Sequence, residues 1–112
     1  MKTIDIIKAL DLKIYSGSNF LDKDVSGGYV SDLLSDVMGN AQEGQIWITL
    51  QTHKNIMAVA SLKDLPAIIL VKDMKPDADT ILKSEEEGLP ILGTNLDTYT
   101  ICGHLYQYLN RK

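Results

Sequence analysis

The stretch 45-QIWITLQTHKNIMAVASLKDLPAIILV-71 places two β-prone apolar runs on either side of a segment, NIMAVASLKD, that reads as a short helix. A strand, a helix and a second strand in that order make a crossover unit. Ala67–Val71 is apolar at every position, so a strand there needs cover on both faces, and helices in βαβ crossovers supply it. Trp47 alternates with Ile46 and Ile48 and therefore faces the other side of its strand. Two readings of that indole stand: a partner surface, or packing under a neighbouring helix.

Outward from this unit the alternation continues. On its amino side, GYVSD reads as a strand and DLLSDVMGNA as a helix carrying Leu33, Leu34, Val37, Met38 and Ala41. On its carboxyl side, PDADTILKSEEEG reads as a helix ending at Gly88 and PILG as the last strand. A final helix from Asp97 sets Cys102, Leu105, Tyr106 and Leu109 at i, i+3, i+4 and i+7. At the start of the chain, Thr3 is expected to cap a helix, KIYSG is a short strand ending in Gly17, and residues 16–28 have loop composition. The expected fold is α/β: a single layered domain over residues 1–112, with a mostly parallel central sheet flanked by helices.

Composition restricts the partners. The chain has 112 residues, 45% of them hydrophobic and 23% charged, which suits one ordinary globular domain. Its net charge is −4, its eleven Lys and Arg are scattered, and its densest charge run is Glu85–Glu87, so nucleic acid is not an expected partner. One cysteine, Cys102, cannot form an internal disulfide and fits a reducing compartment. The N-terminal residues lack a continuous apolar core of signal-peptide type, and no apolar run approaches the ~20 residues of a membrane span. A cytoplasmic protein without membrane association is expected.

In open α/β sheets ligands gather beyond the carboxyl ends of the strands. That edge would collect Ser31, Asp32, Gln51, Thr52, His53, Lys72, Asp73, Thr94 and Asn95. His53, between a strand and a helix, reads either as an anion contact or proton carrier or as a surface residue that helps cap the next helix, for which Asn55 is itself a candidate N-cap. Asp32 and Asp36 at i, i+4 form an acid–base pair or merely complement a helix dipole. His104 lies on the last helix, far from His53, and no metal-ligand spacing occurs, so neither a metal nor a cofactor is expected. Cys102 falls on an apolar helix face and reads as core. Asp24–Gly28, DVSGG, is either an anion nest built on Ser26, Gly27 and Gly28 or a tight loop. No Lys follows the glycines and no GxxxxGK[ST] is present, which excludes a P-loop.

These residues, with GYVSDLLSDVMGNA and WITLQTH downstream of DVSGG, resemble the DRTGG domain family over nearly the whole chain. The family is named for a five-residue motif that Asp24-Val25-Ser26-Gly27-Gly28 matches, with Val25 in place of the Arg and Ser26 in place of the Thr. Such domains are akin to the N-terminal domain of HPr kinase/phosphorylase and accompany bacterial phosphotransacetylases and CBS-domain pyrophosphatases. The resemblance implies that fold and a regulatory or oligomerisation role, with catalysis residing elsewhere. The missing guanidinium removes a bidentate phosphate donor from the motif.

The expected function is therefore a non-enzymatic regulatory module with no catalytic residues, acting as a homodimer through a partner protein or a small phosphorylated effector. The alternative is a sensor binding a nucleotide or phosphorylated metabolite at the carboxyl edge of the sheet. The ligand-contacting candidates are Asp24, Ser26, Gly27, Gly28, Ser31, Thr52, His53 and Asn55.

Overall fold

The computed structural model describes residues 1–111. The elements follow in the order α1 (Thr3–Leu10), β1 (Lys13–Ser16), β2 (Gly27–Val30), α2 (Leu34–Asn40), β3 (Gln45–Thr49), α3 (Asn55–Leu62), β4 (Ile68–Leu70), α4 (Ala78–Glu87), β5 (Ile91–Gly93) and α5 (Thr98–Asn110). They build one five-stranded sheet in the order β1-β5-β4-β3-β2, with helices on both faces. β2, β3, β4 and β5 pair in parallel, while β1 joins β5 antiparallel, so the sheet is mixed with a parallel majority.

Strand alternation sorts the apolar residues into two cores. Ile46, Ile48, Ile69, Val71 and Leu92 pack with α1 and α5 through Ile6, Ile7, Ile101 and Leu105. Trp47, Ile68, Leu70 and Ile91 pack with α2 and α3 through Val37, Ile56, Met57 and Ala60. The continuous apolar runs of the inner strands thus serve both layers, as a parallel sheet covered on two sides requires. From β2 to β5 the chain steps each time to the adjacent strand in the same sense. Right-handed crossovers then put the connecting helices α2, α3 and α4 on one face, which leaves the other to α1 and α5.

Trp47 settles between its two readings here. Its side chain is fully buried beneath α2 and α3, and its Nε1 donates to Ser31 O at 2.8 Å. Thr3, expected as a cap, lies inside α1 instead: it is fully buried and its hydroxyl donates to Lys23 O at 3.0 Å, fastening the helix to the loop before β2. Asp97 does cap α5, accepting from Thr100 N at 2.8 Å, and that amide bond holds its carboxyl below the ordinary value. The antiparallel edge is tied down by a buried chain in which Ser16 Oγ donates to Ser84 Oγ at 2.7 Å and Ser84 Oγ to Leu89 O at 2.6 Å.

Two buried aromatic polar groups predict opposite signs. Trp47→Phe leaves Ser31 O without its donor and opens space under α2, lowering stability by about 2 kcal/mol in urea unfolding. The Tyr15 hydroxyl is buried without a hydrogen-bond partner, so Tyr15→Phe is neutral or stabilising by up to about 1 kcal/mol. A clear loss of stability in Tyr15→Phe would show that the hydroxyl has a partner in solution.

Candidate functional site

The direction of β2 divides the sequence-derived candidates. Gly27 and Gly28 open β2, so the Asp24–Gly28 motif lies at the amino end of the parallel strands. Ser31, Thr52, His53 and Asn55 follow β2 and β3 and lie at the carboxyl end. The set is therefore two groups at opposite edges of the sheet, and a ligand at the carboxyl edge is out of reach of Gly27 and Gly28. The parallel strands never reverse their order of addition, and the hollow at the carboxyl end, ≈ 470 Å³, lies at the junction of β5 with β1, lined by Asp11, Lys13, Asp73, Thr94 and Asn95.

At the amino end, each motif residue has a definable physical task. Asp24 pairs with Lys2 Nζ at 3.3 Å on the open surface, an interaction of small energetic value. Val25 is buried among α1 and α5 residues, so the position where the family name has Arg points into the core of this chain. Ser26 N donates to Gly44 O at 2.9 Å, and Gly44, at φ +87°, has no room for a Cβ, which would stand 2.6 Å from Ser26 Oγ. Gly27 and Gly28 are extended strand residues, neither in the left-handed region; the motif is neither a nest nor a tight turn.

Gly28 permits close approach of α5: a Cβ there would lie 3.0 Å from Leu105 Cδ2, whereas one on Gly27 would meet only Gln45 Cγ at 3.8 Å. Beside that contact a groove of ≈ 380 Å³ runs between β2 and α5, floored by Gly28, Val30 and Ile48 and walled by Cys102, Leu105, Tyr106 and Leu109. Ser26, Gln45, Asn110 and the Tyr106 hydroxyl supply uncharged polar groups to it. Burial pushes the Cys102 thiol up, so it stays protonated and is a poor nucleophile near neutral pH. Beside this groove a second hollow carries Asp22, Asp24, Glu43 and Asp64 against Lys23. α2, α3, α4 and α5 end on this side, whereas α1 begins here, its Thr3 N donating to Lys23 O. The clustered carboxylates disfavour a phosphorylated ligand here.

The carboxyl end is held by hydrogen bonds between loops. Asp32 Oδ1 accepts from Thr49 Oγ1 and Leu50 N, both at 2.8 Å, and Gln51 Nε2 donates to Asp32 O at 2.8 Å. Asp32 precedes α2 and clamps the turn; it does not pair with Asp36. Ser31 Oγ accepts from Leu33 N at 3.1 Å. Thr52 O accepts from Thr80 Oγ1 at 2.8 Å and from Asp77 N at 3.1 Å. His53 Nδ1 lies 3.1 Å from Asp77 Oδ2 with both side chains exposed, a partner that the sequence places 24 positions away. Asn55 is the first helical residue of α3 rather than its cap, which is Lys54. Lys72 and Asp73 are successive non-glycine residues in the left-handed region, but their N–H groups donate to Leu96 O and Thr94 O and are not free for an anion. His104 is exposed on α5, and among the described residues no group of His, Cys, Asp and Glu is arranged to hold a metal ion.

A further ionisable pair, unseen in the sequence reading, joins β2 to α2. The Tyr29 hydroxyl donates to the Asp36 carboxylate at 2.9 Å, and Asn40 Nδ2 donates to it at 3.0 Å. The Ser31 hydroxyl, whose proton can also turn to Leu33 O, and then the Tyr29 phenol hold the Asp36 carboxyl below the ordinary 3.8; burial and then the Asp36 bond raise the Tyr29 phenol above 10.0. Because the Asp36 value is depressed on folding, its contribution is present above pH 3.8 and disappears as pH falls through the lower folded value. Because the Tyr29 value is raised, its contribution is present below pH 10.0 and disappears as pH rises through the higher folded value. Melting curves across pH should show a shallower acid loss in Asp36→Asn and a shallower alkaline loss in Tyr29→Phe; unchanged profiles would remove the pair from the stability of β2.

Comparison with known proteins adds the family. The DRTGG domain model matches residues 5–108. HPr kinase/phosphorylase of Levilactobacillus brevis is 25% identical over 123 aligned residues, covering 96% of this chain and 40% of that protein. A crystal structure of the CBS and DRTGG domains of the regulatory region of Clostridium perfringens pyrophosphatase, complexed with the activator diadenosine tetraphosphate, superposes with a TM-score of 0.63 at 18% identity. That match covers 91% of this chain and 46% of the other, so this chain spans less than half the length of either protein. With its five-strand sheet shared with that regulatory region and the family model spanning all but its ends, the chain belongs to the DRTGG domain family.

Proposed function

We propose that this DRTGG chain is a non-enzymatic regulatory module that acts by binding. The observation that carries this reading is the groove between β2 and α5, an apolar concavity lined by both motif glycines whose walls offer contact surface rather than reacting groups. The thiol on it, Cys102, is kept protonated by burial. His53 stands at the other end of the sheet, exposed and facing Asp77. The likeness to a pyrophosphatase regulatory region supports the same reading at the level of the fold.

A second reading, a sensor of nucleotides or phosphorylated metabolites, draws support from the activator named for the Clostridium perfringens structure. In this chain the ligand would sit at the carboxyl edge, at Ser31, Thr52, His53 and Asn55, since the acidic amino end repels phosphate. His53 would supply a hydrogen-bonding contact.

The two readings separate in one set of experiments. Purified protein incubated with ATP, GTP, acetyl phosphate or sugar phosphates is expected to give no product by phosphorus NMR; turnover abolished by His53→Ala would make the chain an enzyme. In differential scanning fluorimetry with the same compounds, the sensor reading requires a rise in melting temperature that His53→Ala removes, because selective binding to the folded state stabilises it. A flat response in the wild type discards the sensor and leaves a binding module that works through proteins.

A further inference from the structure

We propose that β2 accepts an added strand from a different protein: an extended segment that pairs with the open edge of β2, sets an aliphatic side chain in the groove beside α5 and places a Lys or Arg in the acidic hollow at the amino end. The proposal rests on the reading of the chain as a binding module and names the chemistry of what it binds.

Three observations meet at this edge, and the first is the backbone ladder. β1, at the other edge of the sheet, is blunted: it carries Lys13, its pairing with β5 is irregular between Ile14 and Ser16, and the Gly17 N–H that follows it is taken by Glu85 Oε2 at 3.0 Å. Charge and irregularity of this kind discourage further strands. β2, Gly-Gly-Tyr-Val, carries no charge and no proline, and its register with β3 is unbroken from Gly27 to Val30. Ser31 N donates to Ile48 O across that pairing. Since ladder groups alternate along a strand, Gly28 and Val30 turn their N–H and C=O toward the open edge.

The second observation is the groove. Its lining holds no Lys, Arg, Asp or Glu among the described residues, and Val30 and Tyr106 are 47% and 72% exposed on it. Strand addition divides its work in this way: backbone bonds supply affinity, and a pocket for alternate side chains supplies specificity. The aliphatic side chain that the groove receives is one that faces α5 from the added strand.

The third observation is charge, and it selects the occupant. Groove and acidic hollow meet at Ser26, which lines both. Asp24 is paired with Lys2, whereas Asp22, Glu43 and Asp64 enter no ion pair among the described residues. Glu43 and Asp64 follow the carboxyl ends of α2 and α3, which also favour a cation. A strand that runs along β2 and past Ser26 therefore meets unpaired carboxylates, and a basic side chain at that end complements them. A second copy of this chain, paired antiparallel through β2, would bring Asp32 to that end and no base.

The probe is the peptide Lys-Arg-Val-Thr-Val-Thr-Val-Lys-Arg, acetylated and amidated, basic at both ends so that either strand direction reaches the hollow. Its control carries Glu in place of every Lys and Arg. In NMR titrations of isotope-labelled protein, the basic peptide is expected to shift the Gly28 and Val30 amides with a Kd at least about tenfold below that of the control, a difference that about 0.5 M NaCl largely erases. Val30→Pro removes an open-edge N–H at a place where a strand tolerates proline, and should abolish binding while keeping the far-UV circular dichroism of the wild type. Glu43→Gln with Asp64→Asn, both at exposed positions, should remove the preference for the basic peptide. Ile14→Lys, on the blunted β1 edge, should bind as the wild type does. No response to either peptide at about 1 mM, equal affinity for both, or shifts that map away from β2 each overturn the proposal. So does a wild type of twice the single-chain mass in light scattering whose Gly28 and Val30 amides are protected from hydrogen exchange without peptide, since that assigns the edge to a second copy. Failure of the binding-module reading is seen separately, as turnover of phosphorylated compounds with no peptide present.

Discussion

Water must be kept from both faces of β3, and the other elements are arranged around that requirement. Ile46 and Ile48 face α1 and α5 while Trp47 faces α2 and α3, and all three are buried to within 1%. A strand so placed needs neighbours on both sides and helices above and below, since each exposed apolar side chain forgoes about 2 kcal/mol of transfer free energy. Trp47 adds a polar condition: its indole N–H has to find an acceptor, and Ser31 O at the end of β2 is that acceptor. The position of β2 is thereby fixed by hydrophobic burial from one side and by a buried hydrogen bond from above.

The uniform sense of the crossovers then decides the functional geography. Stepping from β2 to β5 in one direction puts α2, α3 and α4 together, and α5 alone returns over the opposite face with α1 for company. Two helices do not cover a sheet of five strands to its edge. At β2 the cover is partial: Leu105 closes on Gly28, and a groove remains beside that contact. The same topology sends the carboxyl termini of α2, α3, α4 and α5 to the acidic amino end and their amino termini to the end that bears His53, while α1 runs the other way. Charge thus differs between the two ends of the sheet, and the motif lies at the acidic one.

The family motif takes on a physical meaning in this arrangement. Val25 is a core residue, Ser26 meets Gly44 in a contact that no larger residue at 44 could share, and the two glycines are strand residues valued for the side chains they lack. None of the five positions presents a donor array to a phosphate, and Asp24 is committed to Lys2 across an exposed ion pair. A glycine pair met in a sequence suggests a turn, because rotational freedom is the commoner use of glycine. Here the commoner use is absent and close approach is the reason.

The sequence by itself determined the alternating elements, the layered α/β class and the identity of the inner strands, because apolar periodicity and continuous β-branched runs are local properties. It also marked Asp97 as the start of α5 and Gly88 as the end of α4, each by its capping chemistry. Only the tertiary structure decided that β1 runs antiparallel, that the motif and His53 occupy opposite edges, that Asp32 clamps a loop instead of pairing with Asp36, and that Asp77 and Tyr29 are the partners of His53 and Asp36. Those facts depend on which strand lies beside which and on the direction each one runs. Strand order is set by the joint burial of side chains far apart in the chain, and no short window of residues contains that information.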